Sequence, residues 1–146
     1  MEVEAGKHIK VQIYKAPMSL LSSVQVIDQY LRDTVAAAGM RTLGEPHVYD
    51  IKEELTRQGE RVDPDEPEGV TGIAVLSTSH VAIHTWPHRG YAIIDIFSCR
   101  DFQSAAIVGV LEKVFAPLAI HITDLTYSLR FPAAPTSALP SPGLSP

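Results

Sequence analysis

The chain has 146 residues, enough for one domain that buries most of its apolar surface without disulfide staples. Its net charge of -5 and the absence of a basic patch argue against nucleic acid as a partner, and no run approaches the ~20 apolar residues of a membrane span. The acidic N-terminus lacks an apolar signal core, and one cysteine, Cys99, excludes an intrachain disulfide, so a cytoplasmic protein is expected.

Residues 8–14 (HIKVQIY) alternate with period two and predict a strand. Leu20, Val24, Ile27, Leu31 and Val35 form one apolar stripe, so 19–38 predicts an amphipathic helix, with Ser19 as N-cap and Gly39 just past its end. Residues 43–49 read as a short strand. Segment 50–68 holds eight acids and three bases, which is the whole net charge of the chain in one stretch. With Pro64 and Pro67 it reads as an exposed insertion, with a helical turn over 51–58. Residues 70–77 are an apolar strand. Residues 80–86 and 91–98 flank a Pro87–Gly90 turn and predict a hairpin. Asp101 is the expected cap of a helix over 102–115, and 118–129 reads as the last strand. The tail, 131–146, holds five of the eleven prolines and predicts disorder.

The order β-α-β-β-β-β-α-β, with short turns between neighbouring strands, requires antiparallel pairing. The fold class is therefore α+β: a two-layer α/β sandwich, with an antiparallel sheet and two main helices on one face. Residues 1–130 form the single domain. The uncovered sheet face must meet water or another subunit.

Residues 77–99 concentrate the reactive side chains: Ser77, Thr78, Ser79, His80, His84, His88, Trp86, Asp95 and Cys99. A metal site is disfavoured: His80, His84 and His88 would line a helix, but the β-branched residues favour a strand and Pro87 interrupts it. No metal ion is expected. A Ser–His–Asp95 triad lacks a G-x-S-x-G elbow. A purely structural hairpin explains any one residue, but strains to explain Ser79, His84 and Cys99 together at the ends of neighbouring strands.

One resemblance absorbs them. The blocks Gly69-Val70-Thr71-Gly72, Ser77-Thr78-Ser79-His80, Ile83-His84-Thr85-Trp86-Pro87, Gly90-Tyr91-Ala92 and Asp95-Ile96-Phe97-Ser98-Cys99 resemble the prokaryotic S-adenosylmethionine decarboxylase proenzymes. Their pattern is approximately GV(S/T)G, SESH, IHTWPE, GYAA and D-(V/L)-FTC, and the serine-to-cysteine spacing matches without a gap. Gly6-x-His8 and the helix with Val24-Gln25-x-Ile27 extend the likeness weakly toward the N-terminus.

The resemblance implies a self-cleaving, pyruvoyl-dependent decarboxylase of polyamine (spermidine) biosynthesis. Ser79 would cut the chain between Thr78 and Ser79, leaving a β chain of 1–78 and an α chain of 79–146 with a covalent pyruvoyl group in place of Ser79. Thr71 and His84 would assist processing. The pyruvoyl carbonyl would form a Schiff base with the amine of a small amino-acid substrate and accept its electrons. Cys99 would protonate the carbon after CO₂ leaves. A homodimer of cleaved chains is expected.

Two residues depart from the pattern. Thr78 replaces the glutamate before the serine. His88 replaces the glutamate after Trp86-Pro87, which in the family accepts hydrogen bonds from the ribose hydroxyls of S-adenosylmethionine; a neutral histidine accepts one at most. Substrate contacts are therefore expected at His88, Trp86 and Asp95. The same chemistry on arginine or ornithine stays open, with Asp95 or an acid of 50–68 meeting the distal cation, and so does an unprocessed regulatory homologue.

Overall fold

The structure, a computed structural model, describes residues 6–63, 65 and 68–126. Six strands form one antiparallel sheet: β1 (Lys7–Tyr14), β2 (His47–Asp50), β3 (Val70–Val75), β4 (His80–Trp86), β5 (Tyr91–Ser98) and β6 (Ala119–Asp124). They lie side by side in the order β2-β3-β4-β5-β1-β6. Four helices accompany them: α1 (Met18–Leu21), α2 (Val24–Ala37), α3 (Ile51–Arg57) and α4 (Ser104–Phe115). This is the antiparallel α+β sandwich expected from the pattern.

Period two decides which side chains are buried. Ile9, Val11 and Ile13 of β1, Val81 and Ile83 of β4, and Ala92, Ile94 and Ile96 of β5 face the helices and are fully buried. Against them pack Ile27, Tyr30 and Leu31 of α2 and Ile107, Leu111 and Phe115 of α4. The Tyr30 and Phe115 rings meet edge-on at 5.0 Å, joining the two main helices. The alternate residues of the same strands form an open face.

Three local expectations are corrected. The predicted helix 19–38 breaks into α1 and α2, because Ser22 and Ser23 offer the backbone competing partners. Ser22 Oγ donates to the Met18 carbonyl, and Ser23, in extended conformation, accepts from the Val26 N–H at 3.2 Å. Ser23, not Ser19, is therefore the cap of the long helix. Its far end is as expected: Gly39 takes φ +67°, and the Gly39 and Met40 N–H groups close onto the Ala36 and Val35 carbonyls. Asp101 does not cap α4. Phe102 turns into the core and its carbonyl accepts from Lys7 Nζ at 2.7 Å, so the backbone turns helical only at Ser104. The strand expected at 43–49 begins at His47, with Gly44 and Pro46 ahead of it; Thr42 makes an isolated bridge to Leu76.

The acidic segment starts as a helix. Asp50 accepts from the Glu53 N–H at 3.0 Å, capping α3. The strand expected over 118–129 is shorter: β6 starts at Ala119 and ends at Asp124, where Asp124 Oδ1 accepts from the Thr126 N–H at 2.8 Å. Residues 127–129 and the tail from 131 lie outside the described residues.

Candidate active site

Hairpin geometry brings the reactive residues together. In the β4–β5 hairpin the start of β4 lies beside the end of β5, with His80 opposite Phe97. The β3–β4 turn, closed by the Leu76 N–H on the Ser79 carbonyl at 3.0 Å, therefore sits against residues 98–99. There the Cys99 N–H donates to Ser79 Oγ at 3.3 Å. The Cys99 thiol and the Thr78 hydroxyl are in hydrogen-bond contact at 2.6 Å. Leu76, Ser77, Thr78, Ser79 and Cys99 line a cavity of about 510 Å³, together with the 38–41 turn that ends α2. The hydroxyls of Ser79 and Thr78 and the thiol of Cys99 thus share one corner of the sheet.

His84 is not part of that corner. It lies in mid-strand, opposite Thr71 of β3, and the Thr71 hydroxyl meets its Nδ1 at 3.0 Å. Four residues separate it from His80, about 13 Å at the rise of a strand. The expectation that Ser79, His84 and Cys99 gather at neighbouring strand ends is corrected: Ser79 and Cys99 do, while His84 pairs with Thr71 elsewhere on the open face.

The third group is at the far end of β4. His88, in the turn after Trp86, has its Nε2 2.7 Å from Glu68 Oε2. Glu68 also meets Lys52 of α3 at 3.4 Å. The hydrogen bond from His88 and then the contacts from Lys52 hold the Glu68 carboxylate below its ordinary range. Glu68 is placed by Gly69. A Cβ on Gly69 would stand 2.2 Å from the Thr85 carbonyl oxygen, so only glycine lets this backbone press against the end of β4. Asp65, Glu68, Trp86, His88 and Arg89 line a cavity of about 240 Å³. Trp86 packs on Tyr91 with ring centroids 5.4 Å apart.

Asp95 stands between two histidines. Its Oδ2 meets His80 Nε2 at 2.7 Å and its Oδ1 meets His8 Nε2 at 2.8 Å. Burial would raise its pKa, but the hydrogen bonds from His80 and His8 outweigh this and lower it. Among the described residues no group of three histidine, cysteine or carboxylate side chains is arranged to hold a metal ion. Nor is any described helix long and apolar enough to cross a membrane.

Sequence reasoning did not single out Glu68 and His8 as site residues. His8 has a readable signal, since it shares strand parity with the polar face. Glu68 has none beyond its place in the acidic segment, because its meeting with His88 depends on how the chain folds back at Gly69.

Known proteins share this sequence pattern and fold. A family model described as S-adenosylmethionine decarboxylase matches residues 7–127. An S-adenosylmethionine decarboxylase proenzyme of Thermomicrobium roseum is 33% identical over 123 residues, 83% of this chain and 91% of the relative. One of a Synechococcus species is 36% identical over 125 residues, 86% and 81% of the two chains. The crystal structure of the adenosylmethionine decarboxylase from Aquifex aeolicus shares the fold, with a TM-score of 0.67 at 24% identity, covering 94% of this chain and all of that one. The chain belongs to the S-adenosylmethionine decarboxylase family.

Proposed function

We propose that this chain is a self-cleaving, pyruvoyl-dependent decarboxylase of S-adenosylmethionine whose active site is completed between two copies. The observation that carries the reading is the Ser79–Cys99 corner, where Thr78, Ser79 and Cys99 line one cavity and the Cys99 N–H meets Ser79 Oγ.

Ser79 Oγ adds to the Thr78 carbonyl carbon as the Thr78–Ser79 C–N bond breaks, and the peptide becomes an ester. Loss of the Ser79 α-proton to a base then expels Oγ with the Thr78 carboxylate. Water replaces the nitrogen at residue 79 and ammonia departs. What remains is a pyruvoyl group, which supplies an electron sink for the carbanion left when CO₂ leaves. The corner fits such a group: the Cys99 N–H already points at the Ser79 side chain, and the cavity leaves room for a substrate. Cys99 delivers the proton to the substrate carbon.

The base is His84. With Thr71 Oγ1 accepting from Nδ1–H, the lone pair of His84 is on Nε2. At about 16 Å along the chain, five residues at the rise of a strand, His84 cannot serve Ser79 of its own chain. The Glu68–His88 pair, at the opposite end of β4, is farther still. A twofold axis between open faces resolves both distances. Each copy then offers its Ser79–Cys99 corner to the Thr71–His84 pair and the Glu68–His88 pocket of the other. The half-exposed Ile73 and Val75 of the open face are apolar surface that such a dimer covers.

The Glu68–His88 pair also addresses the altered reader. His88 donating Nε2–H to Glu68 leaves its Nδ1 free to accept from one ribose hydroxyl, while the Glu68 carboxylate accepts from the next. The carboxylate missing at position 88 is thus supplied from position 68, which supports S-adenosylmethionine over arginine or ornithine.

The test is an intact mass and a denaturing gel, followed by CO₂ release from carboxyl-labelled S-adenosylmethionine, arginine and ornithine. Two chains, an α chain that begins at residue 79 as a ketone, and CO₂ from S-adenosylmethionine alone are expected. A single chain that stays uncut after ageing sinks the reading.

A further inference from the structure

Cleavage poses a mechanical problem. Before the cut, Ser79 is the last residue of a closed turn; afterwards it is the first residue of a chain, and chain ends fray. Its one side-chain contact, from the Cys99 N–H to Oγ, disappears as well, because Oγ leaves with the Thr78 carboxylate. Something else must hold residue 79 beside Cys99.

The next side chain is held strongly. His80 Nε2 is 2.7 Å from Asp95 Oδ2, and the other oxygen of the same carboxylate is 2.8 Å from His8 Nε2. Residue 80 pairs with Phe97 on β5, and Asp95 lies two residues back on that strand, opposite Lys10 of β1. The carboxylate therefore ties the start of β4 across β5 to β1. The Phe97 ring steadies both imidazoles, stacked on His80 at 6.0 Å and edge-on to His8 at 5.8 Å. The hydrogen bonds of Asp95, His80 and His8 run among themselves, while Ser79 Oγ and the Cys99 thiol are met by the Cys99 N–H and the Thr78 hydroxyl.

We infer that Asp95, gripping His80 and His8 with its two oxygens, is a positioning residue that keeps residue 79 seated once the chain has been cut, a role that rests on the self-cleavage reading. A mere surface ion pair would matter equally before and after the cut, whereas an anchor matters far more after it.

The experiment compares wild type and Asp95→Asn, each cut, with Ser79→Ala and Ser79→Ala/Asp95→Asn, both uncut. The cut Asp95→Asn protein should keep an α chain starting at residue 79, hold KM within about twofold and lose ~10-fold or more in kcat, the cost of a displaced reacting group. Amide exchange over residues 80–84 should quicken far more between the cut pair than between the uncut pair. His80→Gln, whose amide nitrogen falls near the place of Nε2, should restore kcat where His80→Leu does not; this pair also decides the matter should Asp95→Asn fail to fold. Unchanged kcat and exchange in cut Asp95→Asn would overturn the inference. So would equal quickening in the uncut pair, or a folded Asp95→Asn protein that never cuts. If wild type itself stays uncut, the self-cleavage reading fails and takes the anchor with it.

Discussion

The two faces of the sheet are written into the same strands. On β1, Ile9, Val11 and Ile13 face the helices and are buried, while His8, Lys10 and Gln12 alternate with them on the open side. On β5 the buried Ile94 and Ile96 alternate with Asp95 and Phe97. The helix-covered face binds the molecule together through apolar burial. The open face holds Thr71, His84, Asp95 and Phe97, with the Ser79–Cys99 corner at one edge and the Glu68–His88 pair at the other. A period of two thus separates stability from chemistry, and substitutions on the two faces should fail in different ways.

The largest contrast is expected at the corner. Ser79→Ala removes the hydroxyl proposed to cut the chain, so the protein should run as one band indefinitely, with no CO₂ release and an undiminished melting temperature. Cys99→Ala should still be cut, yet lose or divert decarboxylation; full turnover would refute its role. Next comes the division of the site between copies. Ser79→Ala and His84→Ala proteins, each inactive alone, should regain cutting when co-expressed, because a mixed dimer joins an intact Ser79 to an intact His84. Densitometry should show only the His84→Ala chains being cut. No recovery would place both residues in one site of one chain.

The covered face breaks by another route. Ile94→Ala leaves a cavity between β5 and the helices and should lower unfolding stability by about 2–5 kcal/mol in denaturant titration. The fraction that remains folded should still cut itself. At the far end of β4, Glu68→Gln keeps the shape but loses the charge that accepts from His88. It should raise KM for S-adenosylmethionine roughly tenfold with cutting intact.

Period two and the helical stripe made the sheet, its hairpin and the two main helices legible in the sequence, because both patterns are enforced by burial. The boundaries at Ser23 and Ser104 were not, since they depend on which backbone group a serine or Lys7 finds in three dimensions. The corner residues Ser79 and Cys99 could be paired on spacing, because a hairpin of known length returns the end of β5 to the start of β4. The same strand geometry carries His84 away from them, a consequence of counting residues along β4 that motif matching ignores. Glu68 was hidden because its partner His88 comes twenty residues later, and only the close approach of Gly69 to Thr85 joins them.

The smallest effect concerns Asp95 in uncut protein. Its folded pKa is depressed, so the carboxylate contributes stability above the ordinary range near 4 and loses it as pH falls through the folded value. With the side chain 38% exposed, solvent screens the pair and the contribution is modest, about 1 kcal/mol or less. In a Ser79→Ala background, Asp95→Asn should therefore melt slightly lower at pH 7 and converge on its parent as pH falls below the ordinary carboxylate range. A gap that kept widening below the ordinary carboxylate range would mean that the carboxylate is held protonated rather than ionised between its two histidines.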